Sequence, residues 1–192
     1  MFSKKISAAI LAGGKNKRMG GTNKAFIEVE GTPLIQRTLD VFEPLFEEIF
    51  IVTNSPKEYT DYQKDYQVIT DKIKNIGPLG GIHSALLQTS KKGVFFVACD
   101  MPFLHNDIIK RQISQYDKLN SQALIAKIGN FLEPLHSIYA KELLGKIEQY
   151  IKRDSSYSIR EFLESVKYEL FELDDNEKNR RNFKNLNSPS DL

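Results

Sequence analysis

The strongest constraint on the fold is a set of short, largely apolar runs, each closed by polar or glycine residues: 6–11 (ISAAIL), 49–52 (IFIV), 67–70 (QVIT) and 93–98 (GVFFVA). Runs this short and this apolar suit strands buried on both faces. Between them lie stretches with helical spacing. Leu34, Ile35, Thr38, Leu39 and Phe42 make one apolar face, with Thr32 as expected N-cap, Pro33 at the first helical position and Pro44 as the stop. Ile82, Ala85, Leu86 and Thr89 make another, and Ile109, Ile113 and Tyr116 a third on a helix over 106–119. Residues 25–29 read as a short extended piece, 123–128, 132–138 and 168–173 as strands, and 141–151 and 158–166 as helices.

Strands alternating with helices predict an α/β fold: one Rossmann-like, three-layer sandwich over residues 1–192, with a mostly parallel sheet. Composition is that of an ordinary globular chain, at 41% hydrophobic and 27% charged. A net charge of +2 does not argue for a nucleic-acid partner. The single cysteine, Cys99, excludes an internal disulfide and any multi-cysteine zinc site, which suits a cytoplasmic setting. Lys4-Lys5 before ISAAILA imitates a signal peptide, but the apolar run is short and a basic glycine loop follows. It reads as a buried first strand, and no run is long enough to span a membrane.

That loop, LAGGKNKRMGGTNK over 11–24, carries Gly13, Gly14, Gly20 and Gly21 with Lys15, Lys17, Arg18 and Lys24, and no acid precedes Glu28. Glycines let backbone N–H groups approach a polyanion and the cations neutralise it, so the loop is a candidate phosphate cradle, with a solvated basic loop as the alternative. It is neither a Walker A loop nor a G-x-G-x-x-G fingerprint. In open α/β sheets ligands collect beyond the carboxyl ends of the strands. Here those ends hold the cradle, Asn54, Asp71 and Asp100. Asp100, directly after GVFFVAC, offers a hard oxygen ligand to magnesium, although an Asx turn before Met101-Pro102 is the alternative. Asn54 and Asp71 are also good turn residues. Gly77-Pro78-Leu79-Gly80-Gly81 opens a helix whose N-terminus can host an anion and whose glycines let a base lie on the backbone.

Other candidates are weaker. His83, His105 and His136 lack ligand spacing, Cys99 sits within an apolar run, and Lys178, Arg180, Arg181 and Lys184 read as a solvated helix face.

Taken together, LAGGKNKRMGGTNKAFIEVEGTPLI, IVTN, VITD, GPLGG and ACDMPF, in that order, resemble the nucleotidyltransferases that join a nucleoside triphosphate to an anionic acceptor. The tail Asn185-Leu186-Asn187-Ser188-Pro189 fits the N-x-N-x-P pattern, and with GPLGG makes the chain most similar to the molybdenum cofactor guanylyltransferases. The resemblance implies transfer of GMP from GTP to the terminal phosphate of molybdopterin, with Mg2+ as cofactor. Leu11, Ala12, Gly13 and Gly14 would meet the nucleotide, as would Asn54, Asp71, Pro78, Leu79 and Gly80. Arg18 and Lys24 would bind its phosphates, Asp100 would hold magnesium, and Asn185 and Asn187 would lie near the pterin. Molybdoenzymes or their chaperones would receive the product, with no nucleic-acid or membrane partner. Two departures stand out: Asn23 where many relatives carry Asp, and Gly80 where many carry Ala, read here as a mild change. The residues alone leave open CTP or UTP with another phosphate acceptor, or a sensor that binds nucleotide without turnover.

Overall fold

The computed structural model describes residues 3–13, 23–153 and 156–186. In chain order these form β1 (Ile6–Leu11), β2 (Glu28–Val29), β3 (Thr32–Pro33), α1 (Leu34–Phe42), β4 (Ile49–Val52) and β5 (Gln67–Ile69). There follow α2 (Pro78–Gln88), β6 (Gly93–Ala98), α3 (Asn106–Tyr116), β7 (Ala123–Ile128) and β8 (Phe131–Ala140). The last elements are α4 (Leu144–Arg153), α5 (Ile159–Glu164), β9 (Tyr168–Leu173) and α6 (Glu177–Asn182). Short 3-10 segments lie at Lys24–Phe26, Pro56–Lys64 and Lys141–Leu143.

One seven-stranded sheet runs in the order β5-β4-β1-β6-β8-β7-β9. It is mostly parallel, as expected; only β8 runs antiparallel to its neighbours, β6 and β7. The side chains of β1 show why both faces are buried. Ile6, Ala8 and Ile10 join Leu34, Leu39 and Phe42 of α1 and Ile108 and Ile109 of α3 on one side. Ala9 joins Leu79, Ile82 and Leu86 of α2, Ile147 of α4 and Phe162 of α5 on the other. That is the three-layer sandwich. Ser7, the polar residue in β1, is fully buried. Its hydroxyl lies 2.5 Å from Thr89 Oγ1 and donates to the Glu48 carboxylate, so the cost of burying it is offset.

Several local expectations shift. Thr32 does not cap α1: it pairs with Val29 in the small β2–β3 hairpin, and Pro33 occupies the cap position without a side-chain bond. The helix ends at Phe42, just ahead of Pro44. Residues 24–26 coil into a 3-10 turn, so the extended piece is only Glu28–Val29. Helix α3 stops at Tyr116, short of residue 119, and β8 is longer than 132–138. Among the described residues no helix is long and apolar enough to cross a membrane.

Candidate active site

From β1 the chain crosses to β4 and β5 on one side, then returns through α2 to β6 on the other. The strand order therefore reverses between β1 and β6, and a crevice opens beyond their carboxyl ends. Its floor is stitched by backbone bonds: Cys99 N donates to Leu11 O at 3.1 Å, and Ala12 N donates to Val52 O at 2.9 Å. Leu11, Ala12, Lys24 and Asp100 line a recess of about 70 Å³ there. Lys24 Nζ lies 3.4 Å from Asp100 Oδ2 and donates to Leu186 O at 2.9 Å. Leu186 N in turn donates to Asp100 O at 2.9 Å. Lysine and carboxylate, separated by 76 positions, meet where a polyanion and its counter-ion would sit. Their side chains are about a quarter exposed, so the ammonium can re-pair with an incoming phosphate.

Asn54 and Asp71, at the ends of β4 and β5, are brought together with Asn54 Nδ2 donating to Asp71 Oδ2 at 2.7 Å. The first turn of α2 closes against them. Gly77, with φ of +60°, takes the left-handed turn that admits Pro78 at the helix start. Gly80 and Gly81 are buried within this turn. A Cβ on Gly80 would come 2.7 Å from Ile73 O, and one on Gly81 would come 2.7 Å from Leu11 Cδ2. Alanine at position 80 is therefore not a mild change in this chain, because the obstacle is backbone. Leu79 is buried in the core while Pro78 is exposed on the helix rim.

A polar network behind the crevice was not visible in the sequence. Tyr59, fully buried in the segment Pro56–Lys64, donates its hydroxyl to Ala12 O at 3.3 Å. Burial pushes its pKa far above the ordinary phenol value, so it stays protonated as a donor. Asn23 caps the next turn, accepting from Ala25 N at 3.1 Å, while its amide donates to Glu58 at 2.6 Å and to Tyr59 at 3.1 Å. An aspartate could accept but not donate, and would face the Glu58 carboxylate. Asn23 and Glu58 thus form a matched pair. A second carboxyl group that feels the charge of Asp100 gave no signal in the sequence: Glu133 of β8, which burial pushes above the usual range. The Leu135 amide and Arg160 oppose that rise, and the charge of Asp100 adds to it.

Gly14, Arg18 and Asn187 lie outside the described residues. Gly13 is described and exposed, and among the described residues a Cβ there would approach only Val52 O, at 3.9 Å. Asn185 stands beside Leu186 with its Oδ1 buried and no hydrogen-bond donor among the described residues, as suits an atom that receives an N–H from a ligand. Cys99 is buried, and burial holds its thiol well above the ordinary range, so it is no nucleophile. His83 lies 3.3 Å from Glu148 and ties α2 to α4. Arg180 pairs with Asp175, and Arg181 sits over the Phe103 ring at 4.4 Å.

No group of three or more His, Cys, Asp or Glu that could form a metal cage occurs among the described residues. Asp100 alone still fits magnesium, which takes one or two carboxylates and fills its octahedron with phosphate oxygens and water.

A model of the MobA-like NTP transferase domain matches residues 8–170, from β1 through β9. The chain belongs to that family. Among MobA-like relatives, the molybdenum cofactor guanylyltransferase of Syntrophotalea carbinolica is 35% identical over 83% of this chain and 74% of its own length. A probable molybdenum cofactor guanylyltransferase of Natranaerobius thermophilus is 32% identical, covering 97% of this chain and 93% of its own. The crystal structure of molybdopterin-guanine dinucleotide biosynthesis protein A from Archaeoglobus fulgidus superposes with a TM-score of 0.79 at 26% identity. That superposition covers 97% of this chain and 94% of the other. The MobA-like transferase fold thus places the β1–β6 crevice in a family that moves nucleotides.

Proposed function

We propose that this chain is a molybdenum cofactor guanylyltransferase, transferring GMP from GTP to the terminal phosphate of molybdenum-bound molybdopterin and releasing pyrophosphate. The observation that carries the reading is family membership over most of the chain, with guanylyltransferase relatives at 32–35% identity; the meeting of Lys24, Asp100 and the Leu186 carbonyl at the β1–β6 crevice supports the phosphate chemistry. An oxygen of the acceptor phosphate forms the new bond to the α-phosphorus, and the bond from that phosphorus to the β-phosphate oxygen breaks. The electron pair departs with pyrophosphate. Because the nucleophile is already an anion, the chain supplies no general base. Its work is positioning and charge neutralisation.

Lys24 binds the triphosphate, and Arg18 is assigned the same task. The backbone of Leu11, Ala12 and Gly13 lies along the nucleotide, and Gly14 is assigned to the same contact. Asn54, Asp71 and the α2 opening at Pro78, Leu79 and Gly80 receive its base and sugar. Asp100 would hold Mg2+, and when bound that ion would supply further neutralisation of developing charge. Asn185 faces the pterin with its unused acceptor oxygen, and Asn187 is assigned to the same substrate. Residues 1–192 act as one transferase domain, and a lone buried cysteine suits work in the cytoplasm, from which molybdoenzymes or their chaperones take the product.

The test is pyrophosphate release with each of the four triphosphates, Mg2+ and molybdopterin. Release that requires both GTP and the acceptor is expected. Equal or greater release with CTP or UTP, or GTP binding without any release, would overturn the assignment.

A further inference from the structure

The C-terminal segment crosses the loop after β6 and touches it at two points. Leu186 N reaches Asp100 O at 2.9 Å, and His105 N donates to Asn182 Oδ1 at 2.8 Å. Asn182 is fully buried at the end of α6. Its orientation is dictated by chemistry: a backbone N–H only donates, so Oδ1 must face His105. The amide nitrogen then faces His136 Nε2, at 3.3 Å. His136 is itself fully buried, held edge-on between Phe95 and Phe183 at ring distances of 5.1 and 4.7 Å. Gln112 Nε2 anchors its backbone by donating to His136 O at 3.1 Å. Asn182 is therefore a rivet joining α6 to β8 and to the start of α3. Only residues 183–185 separate it from the carbonyl that receives Lys24.

We infer that Asn182 is a positioning residue for nucleotide binding, acting through Leu186: by fixing α6 on the loop after β6, it sets where the Leu186 carbonyl holds the Lys24 ammonium beside Asp100. The inference rests on the reading of this crevice as the GTP site. Asn182 touches no substrate in this account. Its effect is transmitted by a short tether whose far end is bonded to both Lys24 and Asp100.

The experiment is a double-mutant cycle on GTP binding with Mg2+, measured by calorimetry in the full chain without acceptor. Asn182→Ala is expected to weaken GTP about tenfold, since it orphans a buried N–H and frees the tether. In a Lys24→Ala background, Asn182→Ala should add less than about twofold, because the group it positions is gone. Full additivity of the two substitutions would overturn the inference and leave Asn182 a merely structural residue. Hydrogen exchange gives a second readout: the Leu186 amide should lose protection in Asn182→Ala while Val97 in β6 keeps its own. Unchanged protection at Leu186 would also overturn it. Should the alanine variant fail to fold, Asn182→Ser, whose shorter side chain falls short of His105, carries the same cycle. A wild-type chain that does not bind GTP would overturn the reading of the crevice itself, and with it this inference.

Discussion

Charge placement at single residues decides most of what this crevice can do. Lys24 is joined to Asp100 and Leu186 O, which holds its ammonium in place in the crevice where we propose that the triphosphate binds. Lys24→Ala should lower kcat/KM for GTP by about 100-fold or more, the usual scale for removing a preorganised charge at a transferring phosphoryl group; steady-state pyrophosphate release measures it. Asn23 makes a different kind of claim. Its amide donates to Glu58, so Asn23→Asp should destabilise the fold by about 1 kcal/mol through like-charge contact, and Glu58→Gln should restore most of the loss. Thermal midpoints of the single and double variants check this. At Gly80 the obstacle is Ile73 O, at 2.7 Å from an added Cβ. Gly80→Ala should cost about 1–3 kcal/mol as the chain shifts to make room, read as a lower urea midpoint.

Elements show where the sequence was legible and where it was not. The strands ending at Leu11, Val52, Ile69 and Ala98 stood out because each is largely apolar and runs within two residues into a polar or glycine residue, a local signal. Their shared carboxyl edge followed from the parallel pattern, which made it readable that Asn54, Asp71 and Asp100 lie along one edge of the sheet. The segment Pro56–Lys64 was not readable: it is a kinked 3-10 run, with neither helical nor strand periodicity. Thr32 misled because its sequence context suits a cap, while pairing with Val29 claims it for a hairpin. The rivet at Asn182 had no local signal at all, since its partners lie 77 and 46 positions away. Burial pulls the pKa of His136 down to about 4 from an ordinary 6.5. The unfolded chain therefore takes up this proton below pH 6.5, while the folded chain resists it until about pH 4. His136 is neutral and costs nothing above that window; across it stability should fall by about 3 kcal/mol as pH drops. Urea midpoints through the window should show this slope, and His136→Gln should flatten it.

Across the whole molecule, one sheet carries the crevice at neighbouring strand ends, with the α2 opening on the flank of Asn54 and Asp71 and the C-terminal segment on the flank of Lys24 and Asp100. A crevice at a strand-order reversal suits any mononucleotide. The acceptor and the guanine preference come from family membership and the tail, not from the sheet. The central claim is that Asp100 and Lys24 form one transfer centre, with Asp100 holding magnesium against the phosphates of GTP. The most direct test is acceptor-dependent pyrophosphate release by Asp100→Ala across a magnesium titration. We predict that turnover falls by at least about 100-fold while the variant stays folded, with no recovery to the wild-type rate at saturating magnesium. Near-normal turnover with an unchanged magnesium requirement would contradict the account.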